Sequence, residues 1–274
     1  MKLQADDVEK PFRKLRKQLN TFPSNPKPED VHSLRTQTRR LEATFAALEL
    51  GQKKKSRELA KLIRPVRKAA GKVRDMDVLI GDVLTISAEP ADEAAVRLVE
   101  HLAKRRVKDA RRLHDVVRRL RRDVRDCLKE SGRIIRKTLK DESTTVDSDT
   151  GPQILITELS HWPALHEDNL HLFRIRIKEL RYMLQLSQHP DEKLVDALGG
   201  VKDTVGEWHD WVELLKIAKE VLDPQSDRGI IKRIEDTGNT KLIASLAAAN
   251  KLRERFFGVS DGRRASRKIL PMAS

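Results

Sequence analysis

Two short segments of the chain carry a histidine and basic residues at the same spacing. Residues 31–41 read VHSLRTQTRRL and residues 170–180 read LHLFRIRIKEL. Guanidinium and ammonium groups three or four residues apart share one side of a helix, where they can hold an anion such as a phosphate group. A protonated imidazole in the same row adds a hydrogen-bond donor. A shift of 139 residues pairs His32 with His171, Arg35 with Arg174, Arg39 with Lys178 and Leu41 with Leu180.

A second match lies downstream of the first, at a shift of 135 residues. There GKVRDMDV at 71–78 aligns with GEWHDWVE at 206–213. This shift pairs Gly71 with Gly206, Asp75 with Asp210 and Arg67 with Lys202. The two matches occur in the same order and their shifts differ by only four residues. The repeat therefore predicts two related halves, each with a comparable pair of helices.

The basic residues border the apolar residues of both predicted helices. The apolar stripes are Val31, Leu34, Thr38, Leu41, Phe45 and Leu48 in the first copy, and Leu170, Phe173, Ile177, Leu180 and Leu184 in the second. The basic rows start one residue later, about 100° around the helix axis, and the second continues to Arg181. Cations at the edge of a core must be paired, extend to solvent or face a wet cavity. The next helix adds Arg64, Arg67 and Arg74 around Gly71, a mid-helix glycine that indicates close approach of another group or helix.

Two structural interpretations compete with an anion site. The arginines could instead pair with carboxylates, for which the candidates are Asp75, Asp77, Asp203 and Asp210. A lone histidine beside a core is most often structural, but a histidine at the same place in both copies favours anion contact. The remaining histidines have no repeated context and are interpreted as surface or core residues: His101, His114, His161, His166 and His189.

Helical periodicity covers the chain and supplies the elements that would position these rows. Sustained alternation of apolar and polar residues is absent, so the predicted fold is all-α. The predicted helices are 7–20, 28–50, 53–86, 92–139, 153–166, 167–188, 191–222 and 226–257. The fourth has no proline and one glycine, which leaves open whether it is one very long helix or two. A single domain is expected over 1–274, with halves at about 8–140 and 153–258, a linker at 141–152 and a flexible basic tail at 259–274.

Composition and charge narrow the classes of protein. Lys and Arg total 56 against 42 Asp and Glu, and residues 100–140 alone carry 16 basic and 6 acidic side chains. Such an excess favours a polyanionic partner: nucleic acid, anionic lipid or inorganic polyphosphate. No apolar run approaches ~18 residues and no secretory signal opens the chain, so we expect a cytoplasmic protein. The single cysteine, Cys127, excludes an internal disulfide and a multi-cysteine metal site.

The repeated segments resemble the CHAD family, the conserved histidine α-helical domain. The resemblance rests on VHSLRTQTRRL and LHLFRIRIKELRY, each followed by a Gly-x-x-[Arg/His]-Asp segment, GKVRD and GEWHD, and spans about 8–258. It implies two pseudo-symmetric four-helix bundles around a central basic cavity or groove. It also implies non-catalytic binding of inorganic polyphosphate, association with polyphosphate granules and no cofactor or metal.

The resemblance extends the set of candidate anion-binding residues. The full set is His32, Arg35, Arg39, Arg40, Arg64, Arg67, Arg74, His171, Arg174, Lys178, Arg181, Tyr182, Lys202 and His209. Two positions depart from the family pattern. Glu42 stands where a third arginine is common, and Glu179 stands opposite Arg40 in the second copy. Both acids weaken the local positive field and put the equivalence of the two halves in question.

Two other functions fit parts of the sequence. A nucleic-acid-binding protein would use the Arg pairs at 105–106, 111–112, 118–119 and 121–122, although aromatic residues for base stacking are few. A metal-dependent phosphohydrolase would use His171, His209, Asp210 and Asp236 as ligands. The repeat disfavours this enzyme, because the first copy has Arg74 where the second has His209, and arginine cannot bind a metal.

Overall fold

Eight α-helices contain nearly all of the residues that the structure describes. The structure is a computed structural model, and it describes residues 5–47, 54–87, 92–140, 150–185 and 190–258. The helices are α1 (Ala5–Asn20), α2 (Pro28–Ala47), α3 (Lys54–Ile86), α4 (Glu93–Lys140), α5 (Thr150–Ser160), α6 (Glu167–Leu184), α7 (Glu192–Val221) and α8 (Arg228–Phe256). Within these ranges there is no β-strand, so the prediction of an all-α fold is confirmed.

The long helix α4 answers a question that the sequence left open. It runs without a break over 48 residues, from Glu93 to Lys140. The segment has no proline, and its one glycine, Gly132, is tolerated within it. α3 is likewise continuous through Pro65.

The bounds of α5 differ from the prediction at both ends. The helix begins at Thr150, inside the predicted linker, and ends at Ser160 instead of residue 166. Pro163 accounts for the early end, because proline lacks an N–H and disfavours helical backbone at the residue before it. The rest of the predicted linker, the flexible tail, His189 and Leu48 lie outside the described residues.

Three apolar clusters form the interior. The first lies among α1–α4 and the second among α5–α8. The third lies where α3 and α4 meet α7 and α8, and it includes Met76, Leu98, Trp211 and Ile234. The two halves are therefore joined by buried apolar surface. Across the junction α2 contacts α6 and α3 contacts α7, so the helices that carry the repeated segments meet their counterparts.

The predicted apolar stripes are the core faces of α2 and α6. Val31, Leu34, Thr38 and Leu41 are fully buried, and Phe45 is nearly so. Their counterparts Leu170, Phe173, Ile177 and Leu180 are fully buried as well. With these faces fixed inward, the neighbouring basic rows lie at the edge of the core, as the spacing predicts.

Two ion pairs join the starts of α4 and α8 across the halves. Arg97 on α4 donates to Asp227, 2.6 Å away, and Arg233 on α8 donates to Asp92, 2.5 Å away. Asp92 also accepts the backbone N–H of Ala95, in the first turn of α4. Each half thus supplies the arginine for the other half's carboxylate, and together the pairs hold the two halves in register.

None of the described helices has the length and apolarity needed to cross a membrane.

Candidate anion-binding cleft

A cleft of about 1220 Å³ lies between the two halves. We call it the central cleft; α2, α3 and α4 line it from the first half, and α6 and α7 from the second. Its cationic and imidazole side chains are His32, Arg35, Arg39, Arg67, Lys72, Arg74, His101, Lys104, Arg105, Lys108, Arg112, His171, Arg174, Lys178, Lys202 and His209. Its carboxylates are Asp75, Asp109, Asp203, Glu207, Asp210 and Glu213. Basic groups outnumber acidic ones, so the cleft favours anions.

Eleven of the fourteen predicted residues line the central cleft. The three that do not are Arg40, Arg64 and Arg181. Arg40 and Arg64 are exposed to solvent outside the cleft lining. Arg181 turns to its own half, where its Nε donates to the carbonyl of Val195, 3.3 Å away. The structure therefore brings eleven of the predicted residues together in the cleft and leaves these three outside it.

The centre of the cleft holds cations without carboxylate partners. Among the described residues, no ion pair within 4.0 Å reaches five half-buried cations of the lining: Arg35, Arg39, Arg74, Arg174 and Lys178. These five residues, which we call the central cations, come from α2, α3 and α6. Exposed cations are readily left unpaired, but these are all half-buried. A half-buried cluster of like charge is unfavourable until an anion neutralises it.

The alternative interpretation, in which carboxylates neutralise the arginines, holds only in part. Asp203 pairs with Lys202, and Asp77 pairs with Arg106 of α4 at 2.6 Å. Asp75 and Asp210 line the cleft, yet within the described part of the chain neither comes within 4.0 Å of a cation. The acids therefore moderate the field of the cleft without cancelling it.

Arg174 is held in place by the backbone of α7. Its Nε donates to the carbonyl of Lys202 over 2.9 Å. A Cβ placed on Gly206 would lie 2.6 Å from Arg174 Nη2, so the guanidinium packs on the helix where a side chain is missing. This contact explains a glycine in the middle of α7. A Cβ placed on its repeat counterpart Gly71 would meet no described residue within 4 Å, so Gly71 makes no such contact there.

The two acids that depart from the family pattern have different effects. Glu42 accepts from Arg67 Nε at 2.8 Å, so one cation of the cleft is neutralised in the first half. Glu179 pairs with Arg176, which also contacts Glu158. Neither Glu179 nor Arg176 lines the cleft. Of the two acids, only Glu42 therefore reduces the positive charge of the cleft.

The protonation of the cleft reflects burial and crowding of positive charge. Burial, reinforced by Arg39 and then Arg174, lowers the pKa of Lys178 to about 6. Burial and Arg35 lower the pKa of Arg39 to about 10. Burial raises the pKa of Asp210 to about 6, against the opposing effect of Arg174. Without a bound anion, the cleft therefore carries less positive charge near pH 7 than a count of its basic and acidic side chains suggests.

Two predicted histidines are stacked on the second half. The ring centroids of His171 and His209 are 4.4 Å apart. Burial, with a smaller contribution from nearby positive charge, lowers the pKa of His171, and burial is also the main cause of the lowered pKa of His209. His171 Nδ1 is buried and has no hydrogen-bond partner among the described residues. His32 lies exposed at the edge of the cleft, so the repeated histidines are not in equivalent surroundings.

A comparison with protein-family models matches residues 7–219 to the CHAD domain. The chain belongs to the CHAD family. Every residue that lines the central cleft falls inside the matched range, which ends before α8. The CHAD match is therefore shorter than the 8–258 expected from the motifs, because it leaves out the last helix.

Two solved structures have the same fold as this CHAD domain. The crystal structure of the CHAD domain from the plant Ricinus communis matches with a TM-score of 0.67 and 18% identity, over 92% of this chain and 90% of that one. PptA from Streptomyces chartreusis matches with a TM-score of 0.59 and 12% identity, over 92% and 98%. A comparison with curated protein sequences finds no match.

One wall of the CHAD cleft was not predicted from the repeat. His101, Lys104, Arg105, Lys108 and Arg112 line it from α4, and each lies three or four residues from another member of the set. His101 had been interpreted as a surface or core residue, because it has no counterpart in the other half. The dense basic composition of residues 100–140 was the only signal for this wall, and it did not say which face of α4 turns inward.

The arrangement of acids and histidines does not suit the metal-dependent alternative. His171, His209 and Asp210 line the cleft, but Asp236 is exposed on α8 and does not. Across the part of the chain that the structure describes, no three His, Cys, Asp or Glu residues are grouped so that they could hold a metal ion. The structure therefore does not bring the four predicted ligands together in the cleft.

Proposed function

We propose that this CHAD protein binds inorganic polyphosphate in the central cleft, without catalysing a reaction on it. Some members of the family bind polyphosphate. The observation that carries the proposal here is the cluster of central cations, which are half-buried and have no ion-pair partner in the described part of the chain. Polyphosphate carries charge on every repeat and offers the oxygen acceptors that arginine forks bind in pairs.

The distribution of charge favours an extended anion over a single phosphate ion. Cationic groups reach the cleft from five helices, and Arg35 and Arg174 approach it from different halves. A chain of phosphates can contact both halves at once and release several counterions, and this release makes binding strong at low salt. A single phosphate ion would neutralise only part of the cluster. Through such binding the protein would associate with polyphosphate granules.

The test is a titration with polyphosphate chains of defined length at several salt concentrations. We expect affinity to rise with chain length until the cleft is filled. By analogy with single strands of nucleic acid, the logarithm of the binding constant should fall by about 0.7 per neutralised phosphate for each decade of salt. Binding that is independent of salt would contradict the proposal.

Charge-reversal variants test whether polyphosphate binds in the central cleft. Arg35→Glu and Arg174→Glu should each weaken binding at least about tenfold, because each removes a charge-assisted contact and adds a repulsive charge. Arg40→Glu is the matched control, since Arg40 is on α2 near Arg35 but outside the cleft. Circular dichroism verifies that all three variants keep their helices. Equal losses in all three would show that only net charge matters and would overturn the site.

Competition separates polyphosphate from nucleic acid. α4 exposes Arg111, Arg118 and Arg119, which could follow a nucleic-acid backbone. Polyphosphate should displace RNA and DNA at equal phosphate concentration, because Tyr182 is the one Phe, Tyr or Trp among the described residues that line the cleft, and stacking of several bases needs more. If RNA or DNA is retained, the protein is a nucleic-acid binder instead.

A further inference from the structure

Lys178 has surroundings unlike those of the other lysines that line the cleft. It lies in the middle of α6, next to Ile177, which is fully buried and fixes the helix beneath it. Its side chain is half-buried in the cleft wall and forms no ion pair within 4.0 Å in the described ranges. Lys104 on the opposite wall, in contrast, is exposed and pairs with Glu100.

Cations on three helices act on Lys178. Arg35 and Arg39 act from α2, Arg174 from its own helix and Lys202 from α7. The cleft carboxylates Asp75 on α3 and Asp210 on α7 form no ion pair with it. Tyr182 lies one turn further along α6. The amine is therefore surrounded by guanidinium groups that disfavour its protonated form.

We propose that Lys178 is a nucleophilic amine that is acylated by acyl phosphates bound in the central cleft. This inference rests on the proposed function, because it uses the affinity of the central cations for phosphoryl groups. An acyl phosphate is a mixed anhydride with an electrophilic carbonyl at one end and a phosphate at the other. Arg174 and Arg39 would bind the phosphate and bring the carbonyl carbon to Lys178 Nζ.

The reaction is balanced without any further reagent. The lone pair of Lys178 Nζ attacks the acyl carbon and forms an amide bond. The bond between that carbon and the phosphate oxygen breaks, and its electron pair leaves with the phosphate. The proton lost by the nitrogen ends on the phosphate, which departs as hydrogen phosphate. The arginines stabilise the negative charge of the leaving group, as they would that of polyphosphate.

The neutral state of its amine makes Lys178 a better nucleophile than an ordinary exposed lysine. Burial and the neighbouring arginines lower the pKa of Lys178 to about 6, so most of its amine is neutral at pH 7. An ordinary exposed lysine, with a pKa of about 10.4, has roughly one neutral amine in two thousand at that pH. Acylation would convert this amine into an uncharged amide in the cleft wall.

The experiment treats the whole protein with acetyl phosphate and follows acetylation of individual lysines by peptide mass spectrometry. At pH 7, Lys178 should react at least about tenfold faster than exposed Lys68, because its pKa is lowered and the arginines hold the reagent beside it. The Lys178 rate should rise with pH and level off once its amine is neutral. Lys178→Arg should lose this fast site while keeping its helicity.

A second reagent separates the nucleophile from the phosphate guidance. N-hydroxysuccinimidyl acetate is an uncharged acetyl donor that does not need the arginines. Fast reaction of Lys178 with both reagents supports the proposal. Fast reaction with the uncharged ester alone overturns it, since phosphate is then not guiding the acyl group. The proposal is also overturned if neither reagent acetylates Lys178 faster than it acetylates Lys68.

Added polyphosphate distinguishes this inference from the proposed function. Long polyphosphate should slow acetylation of Lys178 at least about tenfold, because it would occupy the arginines, and should leave Lys68 unaffected. If acetyl phosphate labels Lys178 rapidly and polyphosphate gives no protection, the acyl phosphate site stands and polyphosphate binding in the cleft fails. If polyphosphate binds and Lys178 is unreactive, the proposed function stands and this inference fails.

Discussion

The guanidinium of Arg174 occupies the space that a side chain at Gly206 would fill. A Cβ on that glycine would lie 2.6 Å from Arg174 Nη2 and 3.2 Å from Nε. The same Nε donates to the carbonyl of Lys202, one turn earlier on α7. The repeat therefore pairs residues 71 and 206 as glycines, but only Gly206 makes room for a cation of the cleft.

Gly206→Ala should weaken polyphosphate binding without destabilising the fold. The flexible end of Arg174 can move aside, so the clash displaces this cation while the helix keeps its course. Affinity should fall about fivefold to tenfold, the value of one charge-assisted contact. The free energy of unfolding should change by less than about 1 kcal/mol, because alanine favours the helix by a similar amount. Isothermal titration calorimetry and urea denaturation measure the two quantities.

Two other glycines provide the controls for this substitution. Gly200 is on the same helix and Gly71 is the repeat counterpart, and an added Cβ at either would meet none of the described residues within 4 Å. Gly200→Ala and Gly71→Ala should leave polyphosphate affinity unchanged and stabilise the protein by up to about 1 kcal/mol. Equal losses of affinity in all three variants would show that the position of Arg174 is irrelevant to binding.

Glu42→Gln should strengthen binding by releasing Arg67. Glu42 accepts from Arg67 Nε at 2.8 Å and does not itself line the cleft. The freed guanidinium should increase polyphosphate affinity about twofold to fivefold at low salt, in line with the modest strength of a partly exposed ion pair. The salt dependence should steepen by about 0.7, the contribution of one further phosphate. Weaker binding would show that Glu42 is needed to orient Arg67.

The fold and the core of this protein were predictable because local signals agree with the tertiary structure. Apolar residues at helical spacing fix the inward faces of α2 and α6, and both faces are buried as expected. Proline and glycine define most helix bounds. The predicted end of α5 is wrong. A short apolar run continues the helical periodicity past Ser160, although Pro163 interrupts the helix. There, local chemistry at one residue overrides the pattern.

The lining of the central cleft was predictable only where the repeat marks it. Repetition separated the row of Arg35 and Arg174 from the many other arginines of the chain. The repeat carried no information on α4, because the residues of α4 have no copy in the other half. It also could not show that Arg181, which has the right spacing, donates a hydrogen bond to the carbonyl of Val195 in its own half. Which way a long side chain turns at the edge of a helix depends on partners that are distant in sequence. The low pKa of Lys178 likewise arises from arginines on other elements, which no local pattern reveals.

Polyphosphate affinity should rise as the pH falls from 8 to 5.5. Over this range Lys178 and Asp210, both with a pKa of about 6, take up protons, and each proton adds one positive charge to the cleft. The gain should be about tenfold, the size of one charge-assisted hydrogen bond. A bound polyanion favours both protonated forms, so binding should take up protons near neutral pH. Calorimetry in buffers of different ionisation enthalpy measures that uptake.

Variants identify the groups behind this pH dependence. Lys178→Arg keeps its charge throughout the range and should flatten the profile while preserving affinity at pH 5.5. Asp210→Asn should raise affinity most at pH 8, where the wild-type carboxylate is ionised. His171 contributes less above pH 6, because burial lowers its pKa. A profile that keeps its full slope in both variants would assign the protons to other residues.

Lys178→Met should stabilise the free protein while it weakens binding. The pKa of Lys178 is lowered to about 6 in the folded state, so between that value and about 10.4 the unfolded chain binds a proton that the folded chain does not. In this window the wild-type protein loses stability as the pH falls, and methionine removes the loss. At pH 7 the variant should gain about 1–3 kcal/mol in the free energy of unfolding. The gain should shrink towards pH 10, where lysine is neutral in both states. Urea denaturation at pH 7 and pH 10 tests this, and a variant less stable than wild type at pH 7 would show that the cleft accommodates Lys178 without cost.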